Sequence, residues 1–281
     1  MALQFDDIDF LIIGAGKSAT TWLQSQLQSD PAVYMVDPEL HYFSREHHRG
    51  DDWYLSQFSD QGIGKIVGEK SNSYLDDPEA ARRIHRVLPE TKLIAQLRDP
   101  VDRAYSHYCM RYNRYEVGPD IENHLDPARL KDERILDIGN YASHLRRFID
   151  LFGREKVLIL FFEGVRADPE LQMARVRSHL GLEPRPLATD AKKKVKDKTA
   201  SHVPPAVREK LGWLKPIVKP LRGSSAFEAL RGSFAREIEY PPLTGELRER
   251  LADYFASSIP ELEELSGQSL DHWQRPMART R

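Results

Sequence analysis

Residues 14–21, Gly-Ala-Gly-Lys-Ser-Ala-Thr-Thr, combine the residue types that an anion-binding turn needs. A strand, a tight glycine turn at Gly14 and Gly16 and then a helix leave backbone N–H groups unpaired at the helix N-terminus, where the dipole favours an anion. Lys17 adds a point charge able to follow a phosphate or a leaving oxygen, and Ser18, Thr20 and Thr21 add hydroxyl donors. Three ligand readings compete. A nucleoside-triphosphate loop has the Gly16-Lys17-Ser18 end, but needs a glycine where Leu11 stands. This is the ATP-dependent kinase reading, which also requires Mg²⁺. A dinucleotide fingerprint fits Gly14, Gly16 and Ala19, with Asp37 at about the right distance to hold a ribose, as in an NAD-dependent oxidoreductase. The third reading is a loop for a different phosphate ester.

Two further stretches carry chemistry. In "LRDPVDRAYSHY", residues 97–108, Arg98 ends an apolar run, Asp99 suits a helix cap and Pro100 its first turn. Asp99, Arg103 and Ser106 share one helical face, so a guanidinium and a hydroxyl converging there suit a second phosphate. In "DPELHYF", residues 37–43, Glu39 and His41 are two apart and share a side if the segment is extended. Glu39 is placed to accept a proton from a substrate hydroxyl, with His41 as its assistant or as the alternative base.

The elements that must position these groups follow from the apolar pattern. "DFLIIGAG", "AVYMV" (32–36), "GKIVGE" (64–69), "KLIAQL" (92–97) and "KVLILFF" (156–162) read as buried strands. Helical stretches lie at 20–28, 77–88, 99–116 and 141–153. Near-continuous apolar strands alternating with helices predict an α/β fold with a central parallel sheet covered on both faces. Its ligands are expected at the carboxyl ends of the strands. Thr244, with Glu246 in the following turn, opens a helical hairpin over 244–267 that is split at Pro260. The chain is read as one domain over 1–281, with a core over about 8–182 and a lysine-rich loop and helical tail over about 183–281.

The 281 residues carry a net charge of −2, which argues against general nucleic-acid binding. No apolar run is long enough for a transmembrane segment. The one cysteine, Cys109, excludes an internal disulfide, and the N-terminus lacks a basic leader. A cytoplasmic location is expected.

Taken together, the three stretches resemble the sulfotransferases that use 3′-phosphoadenosine 5′-phosphosulfate (PAPS), in the branch of the heparan sulfate enzymes and their bacterial relatives. "GAGKSATTWL" is similar to that family's 5′-phosphosulfate loop. "RDPVDRAYS" is similar to its 3′-phosphate site, matching Arg98 and Ser106. "PELHYF" aligns Glu39 and His41 with the glutamate-base segment, Pro38 standing where a lysine is usual. "EKSNSYL" supplies Lys70, with Asn72 in place of a proline. The resemblance implies a P-loop-like three-layer α/β/α fold and no metal. It implies PAPS as cosubstrate, adenosine 3′,5′-bisphosphate as product, and a hydroxyl-bearing acceptor: a glycan, a lipid, a polyketide-type alcohol or another small molecule. It assigns catalysis to Glu39, Lys17, His41 and Lys70. It assigns nucleotide binding to Gly16, Lys17, Ser18, Ala19, Thr20, Thr21, Arg98 and Ser106. The lysine-rich stretch Lys192–Lys198 is the expected cover for the nucleotide, and Trp53, Tyr54, Tyr112 and Tyr115 serve either as surfaces for stacking on the acceptor or as ordinary packing.

Overall fold

The computed structural model describes residues 3–130, 134–187 and 239–274. The lysine-rich cover Lys192–Lys198 lies outside the described residues. Five strands, β1 (Phe10–Gly14), β2 (Val33–Met35), β3 (Ile66–Lys70), β4 (Lys92–Leu97) and β5 (Val157–Phe161), form a single sheet in the order β2-β3-β1-β4-β5. Every pairing is parallel. Each predicted strand is present, β4 with the predicted bounds and the others one or two residues shorter at one or both ends.

Among the described residues, the helices of eight or more residues are α1 (Thr20–Gln28), α2 (Ala80–Val87), α3 (Pro100–Asn113), α4 (Tyr141–Phe152), α5 (Pro169–Leu180), α6 (Gly245–Ala256) and α7 (Ile259–Ser266). The period-two alternation of the strands sorts their side chains onto two faces. Leu11, Ile13, Leu93, Ala95, Val157 and Ile159 pack with Ile84 of α2 and with Leu145 and Phe148 of α4. Phe10, Ile12, Ile94 and Leu160 pack on the opposite side with Leu23 and Leu27 of α1 and Val176 of α5. Strands apolar on both faces therefore make the predicted α/β/α layering, each fully buried aliphatic or aromatic side chain contributing about 1.5–3 kcal/mol.

α5 is a helix that the apolar pattern did not single out. Its signals are local: Asp168 accepts from Leu171 N at 2.9 Å, Pro169 stands in the first turn and Gly181 takes the left-handed position after the last turn. The predicted hairpin appears as α6 and α7, with Thr244 Oγ1 capping Leu247 N at 3.2 Å. The break falls at residues 257–258, before Pro260, because proline fits the first turn of a new helix. The tail packs on the α/β body: Leu247, Leu251 and Phe255 join Val101, Ala104 and Tyr108 of α3. Arg248 reaches Asp102 at 2.6 Å. No helix among the described residues is long and apolar enough to cross a membrane.

Candidate active site

The strand order brings the predicted residues together. β1 lies between β3 and β4, and β3 lies between β2 and β1. The loops that follow β1, β2, β3 and β4 therefore open side by side at the carboxyl edge, where the chain's direction of progress across the sheet reverses. Lys17 follows β1, Glu39 and His41 follow β2, Lys70 ends β3 and Arg98 follows β4.

The turn after β1 is held by its neighbours. Ala15 N donates to Gln96 O at 2.8 Å, and the buried Gln96 side chain donates to Ser18 O. Gly14 has φ +153°, and a Cβ there would stand 2.8 Å from Leu75 Cβ, so only glycine fits. Lys17 (φ +74°) and Ala19 (φ +64°) lie in the left-handed region, a costly backbone for non-glycine residues that concentrates at functional sites. No side chain caps α1. Ser18 is fully buried and its Oγ has no hydrogen-bond partner. A buried hydroxyl without a partner beside an uncapped helix N-terminus is what an anion-binding turn presents.

Glu39 stands next to this turn. Its Oε1 accepts from Lys70 Nζ at 2.9 Å and from Asn72 Nδ2 at 3.1 Å, and its Oε2 accepts from Asn72 N at 3.0 Å. Lys70, 4% exposed, also donates to Thr21 Oγ1 at 3.5 Å. Thr20 Oγ1 donates to Asn72 Oδ1 at 2.8 Å, so Asn72 links the start of α1 to the carboxylate. His41 Nε2 lies 3.6 Å from Glu39 Oε2, as the two-residue spacing predicts. Burial, reinforced by Arg45, lowers the His41 pKa against the pull of Glu39.

On the other flank, Arg98 lies over the Phe162 ring at 4.8 Å and 3.7 Å from Asp102, with a buried Nε that has no partner. Asp99 caps α3 through Val101 N at 2.8 Å and Asp102 N at 3.1 Å. Ser106 is half-buried two turns along α3. Arg103 corrects the expected convergence on this face: it is fully buried, donates to Ile135 O and lies 3.4 Å from His107 Nδ1. An arginine inside the packing between α3 and residues 134–137 satisfies a backbone carbonyl rather than a ligand. His107, one position beyond Ser106, is pushed down to about 3 by burial, then by Arg103 and Lys17. The charge of Lys17 thus reaches α3, and Lys70 contacts Glu39.

Sequence reasoning passed over Glu69, Ser71, Ser73 and Ser44, and named Asn72 only as a departure from the family pattern. Glu69 is fully buried and accepts from Tyr74 OH at 2.5 Å, Ser71 Oγ at 2.7 Å and Tyr54 OH at 3.4 Å. Burial pushes its carboxyl up to about 7, against the pull of these hydroxyls. The usable signal was the cluster of hydroxyl and amide residues flanking Lys70 in "EKSNSY". For Tyr54 the packing alternative holds: it is a fully buried core residue stacked on Tyr42 at 4.6 Å. Trp53 is half-buried under Arg49, whose guanidinium lies 3.8 Å from its ring, and Tyr115 is 55% exposed.

A family model described as "Sulfotransferase domain" matches residues 7–203. The mouse bifunctional heparan sulfate N-deacetylase/N-sulfotransferase 4 is 30% identical over 290 residues, covering 95% of this chain and 31% of that protein. The human heparan sulfate glucosamine 3-O-sulfotransferase 6 is 34% identical over 177 residues, covering 61% of this chain and 52% of that protein. The chain thus spans about a third to a half of the length of these curated relatives. A solved sulfotransferase from Alicyclobacillus acidocaldarius superimposes with a TM-score of 0.68 at 25% identity, covering 95% of this chain and 99% of that one.

Proposed function

The chain belongs to the sulfotransferase domain family, and on that premise we propose that it transfers a sulfuryl group from PAPS to an acceptor hydroxyl or amine. The observation that carries the reading is the junction of Glu39 with the glycine turn, made by Lys70, Asn72, Thr20 and Thr21. A carboxylate fixed beside an anion-binding turn suits a base acting on a nucleophile aimed at a bound phosphosulfate. The donor set fits such a nucleotide at both ends. The buried Ser18 hydroxyl and the uncapped start of α1 suit the 5′ end, and the unpartnered Arg98 Nε with Ser106 suits the 3′-phosphate.

When bound, PAPS supplies the sulfuryl group and the phosphate leaving group. Lys17, with the N–H groups and hydroxyls of Ser18, Thr20 and Thr21 and the turn of Gly16 and Ala19, holds the phosphosulfate and stabilises charge on the leaving oxygen. Lys70 neutralises charge between the sulfuryl group and Glu39. Glu39 takes the acceptor proton, and His41 supports it. Arg98 and Ser106 select a 3′-phosphorylated nucleotide over ATP or NAD. The transfer is an in-line displacement served by positioning. The names of the relatives favour a glycan acceptor. The lone Cys109 suits a reducing compartment, and cytoplasmic residence belongs to this reading.

Calorimetry with adenosine 3′,5′-bisphosphate, beside ATP–Mg²⁺ and NADH, tests the nucleotide. Tight binding of the bisphosphate, weakened in Arg98→Ala by roughly 2–5 kcal/mol for a desolvated charge pair, is expected. Binding of ATP or NADH in its place refutes the reading. Glu39→Gln is expected to lower kcat by ~10²-fold or more while the bisphosphate still binds. Normal turnover in that variant removes Glu39 from the chemistry.

A further inference from the structure

His41 is held at three points, more than an assisting histidine requires. Its backbone N–H donates to Ser71 Oγ at 2.8 Å, and Ser71 Oγ donates in turn to the buried Glu69. Its carbonyl oxygen accepts from Ser44 N at 3.2 Å, from Glu46 N at 3.1 Å and from Ser44 Oγ at 3.1 Å. Its ring Nδ1 lies 2.7 Å from Ser73 Oγ, which lies 2.6 Å from Ser44 Oγ. The residue sits at φ +53°, a left-handed backbone that persists where the surroundings over-determine it.

These contacts close a circuit, and the hydrogens can run around it in two directions. Each serine hydroxyl has one hydrogen to give. In the first order, Ser44 donates to the His41 carbonyl, Ser73 donates to Ser44, and Nδ1–H donates to Ser73. Every contact then has a hydrogen in it. In the reverse order, Ser44 donates to Ser73 and Ser73 donates to Nδ1. Two oxygens, Ser44 Oγ and His41 O, then face each other at 3.1 Å with no hydrogen between them. The ring proton would stand on Nε2, 3.6 Å from Glu39 Oε2. The first order is the favoured one. It leaves Nε2 with a bare lone pair turned toward Glu39. The charged groups acting on the ring are Arg45, Glu39, Glu46 and Lys70, and burial with Arg45 keeps the resting imidazole neutral.

We propose that Ser73 and Ser44 are positioning residues that hold His41 with its proton on Nδ1, so that the bare Nε2 receives the proton Glu39 takes from the acceptor. The inference rests on the reading of Glu39 as base. As the acceptor oxygen or nitrogen bonds to sulfur, its proton passes to Glu39. The electron pair of the breaking S–O bond leaves with the nucleotide phosphate. The proton then moves from Glu39 to Nε2, giving an imidazolium beside a regenerated carboxylate, with Nδ1–H still on Ser73. Solvent removes the proton once product has left. Glu39 Oε2 and His41 Nε2 stand 3.6 Å apart and close to hydrogen-bond distance for the handover, which an imidazole of fixed tautomer meets with its acceptor nitrogen.

The decisive readout needs no acceptor. In protein labelled with ¹⁵N-histidine, the nitrogen shifts report which ring nitrogen carries the proton, and a His41→Gln spectrum identifies the His41 signal among the ten histidines. At neutral pH the wild type is expected to show the Nδ1–H tautomer. Ser73→Ala is expected to move His41 toward Nε2–H and lower kcat about tenfold or more, with the affinity for adenosine 3′,5′-bisphosphate unchanged. Ser73→Thr, which keeps the hydroxyl, is expected to restore both. Turnover is followed with ³⁵S-labelled PAPS and desulfated heparin. An Nε2–H tautomer in the wild type, or a Ser73→Ala enzyme with wild-type tautomer, overturns the inference while leaving Glu39 untouched. A Glu39→Gln enzyme that turns over normally removes the base reading and the proton transfer to Nε2 along with it.

Discussion

Glu69 offers a quantitative test of how the site is built. The Glu69→Gln substitution keeps the shape of the side chain and removes its titration. In the native protein the carboxyl is fully buried and pushed up to about 7, above its ordinary value of 4.5. Below about pH 4.5 both the folded and unfolded chains hold the proton, and the group contributes nothing to the pH dependence. Between 4.5 and 7 the unfolded chain gives up the proton while the folded chain keeps it. Ionisation then favours unfolding, and stability falls as pH rises. Above about 7 both states are ionised and the loss levels off. The gap between 4.5 and about 7, at about 1.36 kcal/mol per pH unit, amounts to about 3 kcal/mol. Urea unfolding of the wild type and Glu69→Gln, at half-unit steps from pH 4.5 to 8, measures it. The wild type is expected to lose about 3 kcal/mol relative to the variant across that range. Stability curves that run parallel from pH 4.5 to 8 refute the reasoning, because they would mean that the folded protein does not hold the Glu69 proton any more tightly than the unfolded chain.

Gly14→Ala places a Cβ 2.8 Å from Leu75 Cβ and 3.1 Å from Asn72 O at a left-handed φ, and is expected to cost about 1–3 kcal/mol by thermal unfolding. Wild-type stability in that variant would mean that the turn rearranges freely. Asp99→Ala removes the cap of α3 and is expected to cost about 1 kcal/mol. Asp99→Asn keeps the acceptor and removes a carboxyl that burial and Asp102 push up to about 6, so at pH 7 it is expected to be at least as stable as the wild type. An Asn variant as unstable as the Ala variant would show that the charge matters more than the cap.

Much of the architecture was legible in the sequence because it is local. Five short apolar runs with helices between them dictate a parallel sheet buried on both faces, since backbone and side chains have no other way to hide together. Asp99-Pro100 and Thr244 mark helix starts by chemistry confined to a few residues. Positions 17, 39 and 98 could be named because each follows a strand, and the carboxyl ends of parallel strands share one edge, whereas Lys70 was named only by the family resemblance of "EKSNSYL". The helix Pro169–Leu180 was the exception, although its cap, proline and closing glycine were also local signals.

What lies between those positions was settled only by the tertiary structure. Arg103 and Arg98 are five residues apart and equally basic on paper. Packing sends Arg103 to the Ile135 carbonyl and leaves Arg98 at the edge of the sheet, because the helix turns one into the interior. Tyr54 looked like its neighbour Trp53 and proved to be core. The sequence alone determined the strand–turn–helix order and the residue types at the carboxyl edge. Only the three-dimensional arrangement decided that Lys70 meets Glu39, and that Asn72, Ser73 and Ser44 surround Glu39 and His41. The physical reason is distance along the chain. Lys70 and Glu39 are 31 residues apart and Thr20 and Asn72 are 52 apart, so these contacts come from strand order and from the burial that fixes it.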